Sequence, residues 1–260
     1  MSRLDMLAGV WLLSAATQLA GWRWQQRRHN VGIVDVLWSV CLAGSAVLCA
    51  VLGQGAAAPR VLLALGGGLW GLRLARHLWR RVRAEKEDGR YQALRARWGN
   101  GGARWLAFFQ FQALLVAVFS IPFVIVANNA STHSTWLALG ALLWCGSVAG
   151  ESLADRQLAR FRADPAHRGR TCRVGLWRYS RHPNYFFEWL HWFSYPLLAL
   201  GAPYAGLAWI APVLMLLFLR FLSGIPFTEA QALRTRGEDY RDYQRRTSML
   251  IPGPPRERAQ

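Results

Sequence analysis

The sequence predicts an all-α membrane protein with seven transmembrane helices, and three observations indicate this fold class. Apolar residues make up 53% of the 260-residue chain, and tryptophan alone contributes 14 residues. Long stretches carry no charge, whereas the basic residues are concentrated in blocks between them. A helix that crosses the hydrocarbon core of a bilayer needs about 20 mostly apolar residues, and the uncharged stretches reach that length.

Seven segments have the length and composition of a membrane span. The third contains Arg73 and Arg76 and the sixth contains Glu188 and His191, so these two are more polar than the rest. The first is not followed by a small-residue cleavage site and a soluble domain, and we expect it to be a membrane helix rather than a signal peptide. The predicted spans are 5–22, 31–53, 59–79, 105–127, 134–152, 184–200 and 203–223.

The charges of the connecting segments predict the orientation. The segments that follow the first, third, fifth and seventh spans hold 26 lysine and arginine residues, whereas the opposite side holds 2, Arg3 and Arg60. Cytoplasmic loops of membrane proteins carry an excess of positive charge. We therefore expect the N-terminus outside, the C-terminus in the cytoplasm and all of the basic loops on the cytoplasmic side.

The composition also bears on partners and metals. A net charge of +17 is compatible with nucleic-acid binding, but basic loops that hold helix ends against anionic lipid explain it in a membrane protein. We expect membrane lipid, and no nucleic acid, among the partners. The cysteines Cys41, Cys49, Cys145 and Cys172 have neither paired nor metal-ligand spacing, so the sequence predicts no disulfide framework and no metal site.

The organisation of the chain predicts one domain over residues 1–260. No internal repeat is present, and no glycine- or proline-rich linker separates two domains. The tail 228–247 has the pattern of a cytoplasmic helix-turn-helix, with Tyr240 and Tyr243 spaced for one helix face.

The segment 66-GGGLWG-71 satisfies the pattern of a dinucleotide-binding loop. That mechanism requires a preceding strand and a helix N-terminus aimed at the pyrophosphate. Here the glycines fall in the middle of a predicted span, where small residues let helices pack closely. The motif therefore predicts helix packing and not a Rossmann fold.

Asp35 lies near the cytoplasmic end of the second predicted span, where an ionisable side chain is costly and is a functional hypothesis by default. One interpretation is a carboxylate that reaches the interface or pairs with an arginine such as Arg28 or Arg73. The other is an acid in a substrate cavity that donates a hydrogen bond or a proton. The sequence leaves both open.

A polar stripe continues the fifth span into the cytoplasm. Glu151, Asp155 and Arg162 fall at helical spacing on one face of the segment 151–164. The stripe is either the solvated end of an amphipathic helix or a surface that binds an elongated ligand, with carboxylates for hydroxyl or amide groups and arginine for phosphate.

The segment just before the sixth span is the most polar and aromatic part of the chain. Arg173, Arg178 and Arg181 offer planar donors that suit phosphates. Asn184 and Glu188 are four residues apart and share a helix face at the start of the span. An interfacial aromatic belt explains the tyrosine and tryptophan residues here, but it does not explain the asparagine and glutamate beside three arginines. A ligand with phosphates and an amide would.

These residues form part of a pattern that resembles a known family. The stretch 175-GLWRYSRHPNYFFEW-189 is similar to the signature of the bacterial steroid 5-alpha-reductase-like membrane family. The stretches 32-GIVDVLW-38, 87-EDGRYQALR-95 and 223-SGIPFTEAQAL-233, the last followed by 237–252, support the resemblance. The C-terminal pattern also occurs in membrane methyltransferases that act on isoprenylated cysteine.

The resemblance implies a seven-helix membrane reductase that uses NADPH and delivers hydride to the β-carbon of an enone, such as a 3-oxo-Δ4-steroid, while an acid polarises the carbonyl. It implies a substrate-cavity half at about 1–130 and a cofactor half at about 145–250. It further implies a monomer in the bacterial inner membrane, with the cofactor site facing the cytoplasm and a steroid-like or other apolar enone as substrate.

The family's functional residues carry over to positions in this chain. Asp35 matches the catalytic acid, whereas the catalytic tyrosine of the animal enzymes falls on Trp70, which has no hydroxyl. Glu151 stands where animal relatives have asparagine, and Glu229 where they tend to have histidine. The implied cofactor-binding residues are Glu151, Asp155, Arg162, Arg173, Arg178, Tyr179, Arg181, His182, Asn184, Tyr185, Glu188, Trp192, Arg220 and Glu229.

Two other functions remain open. A membrane methyltransferase of the isoprenylcysteine or phospholipid type would use S-adenosylmethionine, which has no phosphate. Asn184, Glu188 and the neighbouring arginines favour NADPH over that cofactor. A non-enzymatic membrane anchor or lipid-binding protein would use its basic loops for electrostatic attraction alone, and the polar residues within the predicted spans argue against it.

Overall fold

A computed structural model describes residues 1–84, 87–99, 101–131 and 133–256, and within these ranges the chain forms helices and no β-strand. The prediction of an all-α protein is confirmed. The α-helices of the described residues are α1 (Arg3–Arg28), α2 (Ile33–Leu52), α3 (Ala57–Ala84), α4 (Gly89–Trp98), α5 (Gly102–Phe119), α6 (Ile121–Ala127), α7 (Ser134–Ala163), α8 (Pro183–His191), α9 (Ser194–Leu198), α10 (Ile210–Leu217), α11 (Ile225–Arg236) and α12 (Glu238–Arg246).

Five helical segments of the described residues are long and apolar enough to cross a membrane. This number supports an integral membrane protein and is smaller than the seven spans that the sequence predicts. The third predicted span lies in α3, whose arginines make that helix too polar on average to be counted by composition. The segments are Arg3–Arg28, Ile33–Leu52, Gly102–Ala127, Ser134–Ala163 and Ala205–Arg236.

The sixth predicted span, 184–200, is not one continuous helix. Helix α8 ends at His191, and α9 begins at Ser194. Pro196 has no backbone N–H, so it cannot donate the hydrogen bond that would continue α8 through this point. Two short helices therefore replace the single predicted span.

The chain divides into two compact units. The first comprises Met1–Ala141 and Tyr195–Ala211, and the second comprises Leu142–Ser194 and Pro212–Gln260. The predicted assignment of a substrate-cavity half to 1–130 and a cofactor half to 145–250 stays a prediction.

Within the first unit, α2 packs closely against α3 at the glycines of 66-GGGLWG-71. A Cβ atom on Gly67 would lie 2.4 Å from the Cβ atom of Ala46, and one on Gly71 would lie 2.8 Å from that of Ala43. Such distances leave no room for a side chain, so these glycines allow the two helices to approach each other. The prediction that this motif serves helix packing is confirmed.

The segment 195–211 is tied to the end of α6. The ring of Tyr195 packs edge-on against Phe123 with 4.8 Å between ring centroids. The side-chain amide of the buried Asn129 donates hydrogen bonds to the backbone carbonyls of Leu198 at 2.8 Å and Leu200 at 3.1 Å. These contacts explain why a segment distant in sequence belongs to the first unit.

Within the second unit, α12 is held against the chain before α8 by buried tyrosines. The hydroxyl of Tyr243 donates to the backbone carbonyls of Trp177 and Ser180. Tyr240 packs beside it on the same helix face, with 5.8 Å between ring centroids. The predicted helix-turn-helix is confirmed, because α11 and α12 are separated by Gly237, whose φ of +54° favours glycine.

Candidate functional site

Polar side chains converge at one place in the first unit and at two places in the second, and the four motif stretches of the sequence meet in pairs within the units. In the first unit, the stretch 32–38 contacts the stretch 87–95 through hydrogen bonds between α2 and α4. In the second unit, the stretch 175–189 contacts 223–252 through α11 and α12. Each motif stretch thus contacts another motif stretch of the same unit.

In the first unit, Asp35 is the centre of a group that we call the Asp35 cluster, formed by Asp35, Asp88, Arg90 and Tyr91. The Tyr91 hydroxyl donates to Asp35 Oδ1 at 2.6 Å, and Arg90 Nη2 donates to Asp35 Oδ2 at 3.2 Å. The predicted pairing of Asp35 with an arginine is therefore found, and the partner is Arg90 of α4.

The start of α4 fixes the position of Arg90. Asp88 caps this helix by accepting a hydrogen bond from the backbone N–H of Arg90 at 2.9 Å, and its Oδ1 atom also accepts from Arg90 Nε at 3.0 Å. Arg81 Nη2 donates to Asp88 Oδ2 at 2.6 Å. Arg90 is consequently held between two carboxylates, with Nη2 directed at Asp35.

A second ion pair anchors the same segment. The backbone N–H of Val31 donates to Glu87 Oε1 at 2.8 Å, and Arg95 donates to both carboxylate oxygens of Glu87, at 2.8 and 3.0 Å. This bidentate pair connects the chain before α2 to α4. The Asp35 cluster is therefore built on a rigid junction between two helices.

The chemistry of the Asp35 cluster is set by the burial of Tyr91, whose side chain is 5% exposed. Burial, reinforced by the Asp35 carboxylate, raises the pKa of the Tyr91 phenol well above its usual value. The phenol therefore keeps its proton at neutral pH and acts as a hydrogen-bond donor. A cavity of about 20 Å³, lined in part by Asp35, Arg90 and Tyr91, leaves room beside the pair for one water-sized group.

In the second unit, α7 and α8 bring together four predicted cofactor residues that we call the Asn184 group: Asp155, Asn184, Glu188 and Trp192. The Asn184 side-chain amide donates to Asp155 Oδ1 at 3.3 Å. Trp192 Nε1 donates to Glu188 Oε1, also at 3.3 Å, and both of these side chains are buried. Glu151 lies buried one helical turn before Asp155. The prediction that Asn184 and Glu188 share the first turns of one helix is confirmed.

Another set of predicted cofactor residues forms the Glu229 cluster, in which several donors surround one carboxylate. Glu229 Oε1 accepts from Arg181 Nε at 2.7 Å and lies 3.3 Å from His182 Nε2. Its Oε2 atom accepts from Gln244 Nε2 at 2.9 Å, while the Tyr240 hydroxyl donates to Oε1 at 3.4 Å. These side chains stabilise one another within the protein.

The Glu229 cluster also ties down the end of α12. Arg181 Nη1 donates to the backbone carbonyls of Gln244 at 3.1 Å and Thr247 at 2.7 Å, which satisfies carbonyls at a helix C-terminus. His182 stacks on Tyr185 with 5.4 Å between ring centroids and a 6° interplanar angle. Burial lowers the pKa of His182 below its usual value, although its contact with Glu229 acts in the opposite direction.

The remaining predicted arginines occupy three different environments. Arg173 forms ion pairs with Asp239 at 2.7 Å and Asp242 at 2.8 Å in the first turns of α12. Arg220 lies over the ring of Phe221, 5.0 Å from its centroid. The other two arginines, Arg162 and Arg178, have exposed side chains in the second unit. The predicted Tyr179 is exposed as well.

A comparison with protein families accounts for most of the chain. The sequence model of the family described as "Protein of unknown function (DUF1295)" matches residues 21–247. The chain belongs to this family. The matched range contains the Asp35 cluster, the Asn184 group and the Glu229 cluster. No curated protein and no solved structure matches the chain.

Within this DUF1295 chain, the structure adds a candidate residue that sequence reasoning missed. Trp70 was the position matched to a tyrosine, and it is fully buried with no hydroxyl to offer. Tyr91 supplies the hydroxyl next to Asp35 instead, although the two residues are 56 positions apart. The stretch 87-EDGRYQALR-95 contained Tyr91 and was one of the stretches that carry the resemblance, but no spacing in the sequence paired Tyr91 with Asp35.

Proposed function

We propose that this chain is an integral membrane reductase that uses NADPH to reduce the C=C bond of an enone lipid, with a 3-oxo-Δ4-steroid as the model substrate. One observation carries the proposal. The Asn184 group presents a carboxamide and two carboxylates from adjacent helices within one unit. Such a set of donors and acceptors complements the carboxamide of a nicotinamide ring.

The charges of the second unit also fit a dinucleotide. Phosphates need cationic donors that water-borne ligands can reach. Arg162 and Arg178 have exposed side chains that a water-borne ligand can reach. Arg173 and Arg181 form ion pairs with carboxylates of the protein. We assign the contacts with the pyrophosphate of NADPH to the two exposed arginines and leave Arg173 and Arg181 as residues that shape the site.

When bound, NADPH supplies the hydride that adds to the β-carbon of the enone. The chain's own task is to stabilise the negative charge that develops on the carbonyl oxygen. The Asp35 cluster supports this role, since the protonated Tyr91 hydroxyl, held by Asp35 Oδ1 at 2.6 Å, is the hydrogen-bond donor that it offers to a carbonyl oxygen. Arg90 offsets the negative charge of the carboxylate and keeps it oriented toward the phenol. A proton from water completes the reduction at the α-carbon.

The membrane arrangement that goes with this function has seven spans. In it, α3 and the pair α8 and α9 cross the membrane in addition to the five segments that qualify by composition. The N-terminus lies outside and the basic loops face the cytoplasm of a bacterial inner membrane, where NADPH is available. The protein acts as a monomer, with membrane lipid around it.

The experiment that tests the function compares two cofactors on the purified protein in detergent. NADPH is expected to raise the thermal unfolding temperature, and S-adenosylmethionine is expected to leave it unchanged. A shift with S-adenosylmethionine and none with NADPH would establish the methyltransferase and overturn the reductase.

Variants then test the site assignment. Asn184→Ala and Glu188→Ala are each expected to weaken NADPH binding about tenfold or more, because one removes a hydrogen-bonding group from a half-buried position and the other from a buried position. Glu238→Ala is the matched control, since the Glu238 side chain is 65% exposed in the same unit. Unchanged NADPH affinity in both site variants would contradict the assignment.

A further inference from the structure

A cavity of about 350 Å³ lies at the C-terminal end of α12, and we call it the C-terminal cavity. Its lining combines the end of that helix with the extended segment that follows it. Among the residues that the structure describes, four arginines line it and no carboxylate does. The lining residues that matter here are Arg181, Arg245, Arg246 and Arg256.

The described residues compensate the positive charge of the C-terminal cavity only in part. Three of its arginines have a carboxylate partner that lies outside the lining. The side chain of Arg256 forms no ion pair or hydrogen bond with the part of the chain that the structure describes. The three compensating pairs are Arg181 with Glu229 at 2.7 Å, Arg245 with Glu238 at 2.8 Å and Arg246 with Asp242 at 3.0 Å.

The walls of the cavity are held by backbone hydrogen bonds and do not depend on a ligand. The N–H of Arg181 donates to the carbonyl of Ser248 at 2.8 Å, and the N–H of Gly253 donates to that of Tyr179 at 3.0 Å. The N–H of Arg256 donates to the carbonyl of Arg246 at 2.8 Å. The arginines are thus presented by a segment whose backbone is fixed at both ends.

The carbonyl groups at the C-terminus of α12 do not repel an anion in the cavity. A helix C-terminus carries partial negative charge on its unpaired carbonyls, which disfavours anionic ligands. Here Arg181 donates to two of those carbonyls, of Gln244 and Thr247. The residual field in the cavity is therefore that of the arginines.

We propose that the C-terminal cavity binds a phosphate group carried by a larger molecule. Guanidinium groups match phosphate oxygens with paired N–H donors, and the volume lies in the range of small-molecule sites. The phosphate comes either from a soluble nucleotide or from the headgroup of an anionic phospholipid. The nucleotide source rests on the proposed function, since NADPH carries a 2′-phosphate that NADH lacks, whereas the lipid source is independent of it.

The test uses the full chain in nanodiscs of phosphatidylcholine, and the binding of 2′,5′-ADP and of inorganic pyrophosphate is measured by calorimetry. A parallel series replaces part of the lipid by phosphatidylglycerol and measures the thermal unfolding temperature. The variants are Arg256→Ala and the double variant Arg245→Ala with Arg256→Ala. Arg241→Ala is the matched control, because Arg241 lies on α12, does not line the cavity and is 66% exposed.

A nucleotide source predicts that 2′,5′-ADP and pyrophosphate bind the wild type and that Arg256→Ala weakens both about tenfold or more, with a larger loss in the double variant. A lipid source predicts that phosphatidylglycerol stabilises the wild type and that the same substitutions abolish the stabilisation. The proposal is overturned if neither series responds to the cavity variants, or if Arg241→Ala produces an equal loss.

These outcomes separate the cavity from the cofactor hypothesis. Binding of pyrophosphate that depends on Arg256, without any binding of NADPH, supports the cavity and contradicts the proposed reductase. Binding of NADPH that is unchanged in the cavity variants, without any lipid effect, supports the reductase and refutes the cavity proposal.

Discussion

Glu229→Gln is expected to lower the stability of the folded chain, and the burial of the Glu229 cluster determines by how much. The side chains of Arg181 and Glu229 are 11% and 15% exposed, so their ion pair at 2.7 Å is largely shielded from water. Glu229→Gln removes the negative charge and leaves Arg181 as a nearly buried cation without its partner. It also replaces one acceptor oxygen by an NH₂ group, which then faces a donor such as Gln244 Nε2.

Removing one member of a buried ion pair costs about 3–5 kcal/mol. The small remaining exposure and the backbone acceptors of Arg181 reduce this to about 2–4 kcal/mol for Glu229→Gln. For a chain of this size, about 1 kcal/mol corresponds to roughly 2–4 °C in the unfolding temperature. We expect thermal unfolding in detergent, followed by tryptophan fluorescence, to shift downward by roughly 5–15 °C.

Glu238→Gln is the control for that experiment. Glu238 pairs with Arg245 at 2.8 Å and with Arg241 at 3.6 Å, but its side chain is 65% exposed. Exposed pairs are screened by water and contribute little to stability, so this variant should unfold within a few degrees of the wild type. Equal shifts in Glu229→Gln and Glu238→Gln would refute the conclusion that the buried ion pair of the Glu229 cluster stabilises the folded chain.

Further predictions concern the Asp35 cluster, pH and helix packing. Tyr91→Phe and Asp35→Asn should each lower kcat about a hundredfold or more and leave the affinity for NADPH unchanged. If the losses multiply in the double variant, Tyr91 and Asp35 do not act as a pair. The lowered pKa of His182 means that the unfolded state binds its proton first as pH falls below 6.5. Its stability contribution is therefore present above pH 6.5 and lost below it, and His182→Gln should flatten the pH dependence of chemical unfolding just below 6.5. A profile as steep as that of the wild type would contradict this account. Gly71→Ala should destabilise by about 1–3 kcal/mol, since its Cβ meets a neighbouring helix, while Gly44→Ala, with nothing within 4 Å, should not; equal unfolding temperatures would remove the packing argument.

The sequence predicted the helices well where composition alone determines them. Helices α1, α2 and α7 lie on predicted spans because long apolar stretches have few alternatives to helix in a membrane. The break between α8 and α9 was missed, since the apolar stretch 184–200 hides the effect of Pro196. Composition shows that a segment is apolar, but it does not show that the helix ends where Pro196 lacks the backbone N–H needed to continue it.

The candidate site was predictable to the extent that its residues are close along the chain. Asn184 and Glu188 share a helix face because they are one turn apart, and the sequence contains that information. The contact between Asp35 and Tyr91 spans 56 positions, and that between Arg181 and Glu229 spans 48. Such pairs depend on how helices pack. The sequence therefore predicted Asp35, Arg181 and Glu229 as site residues, but it did not predict Tyr91 or which residue pairs with which.

Ion pairing within the protein changed the roles of two predicted arginines. Arg173 and Arg181 were assigned to cofactor phosphates because guanidinium groups suit phosphate. In the folded chain, carboxylates of α11 and α12 engage both of them. A sequence pattern identifies the kind of ligand that an arginine prefers, and the fold determines whether a carboxylate of the protein takes that place.

The most direct test of the central claim follows hydrogen from cofactor to substrate. Purified protein is incubated with NADPH that carries deuterium at C4 of the nicotinamide ring, together with a 3-oxo-Δ4-steroid or another apolar enone, and the product is examined by mass spectrometry and NMR. The account predicts one deuterium at the β-carbon of the reduced product and an equal amount of NADP⁺. Consumption of neither NADPH nor enone, together with transfer of a labelled methyl group from S-adenosylmethionine to a lipid, would contradict it.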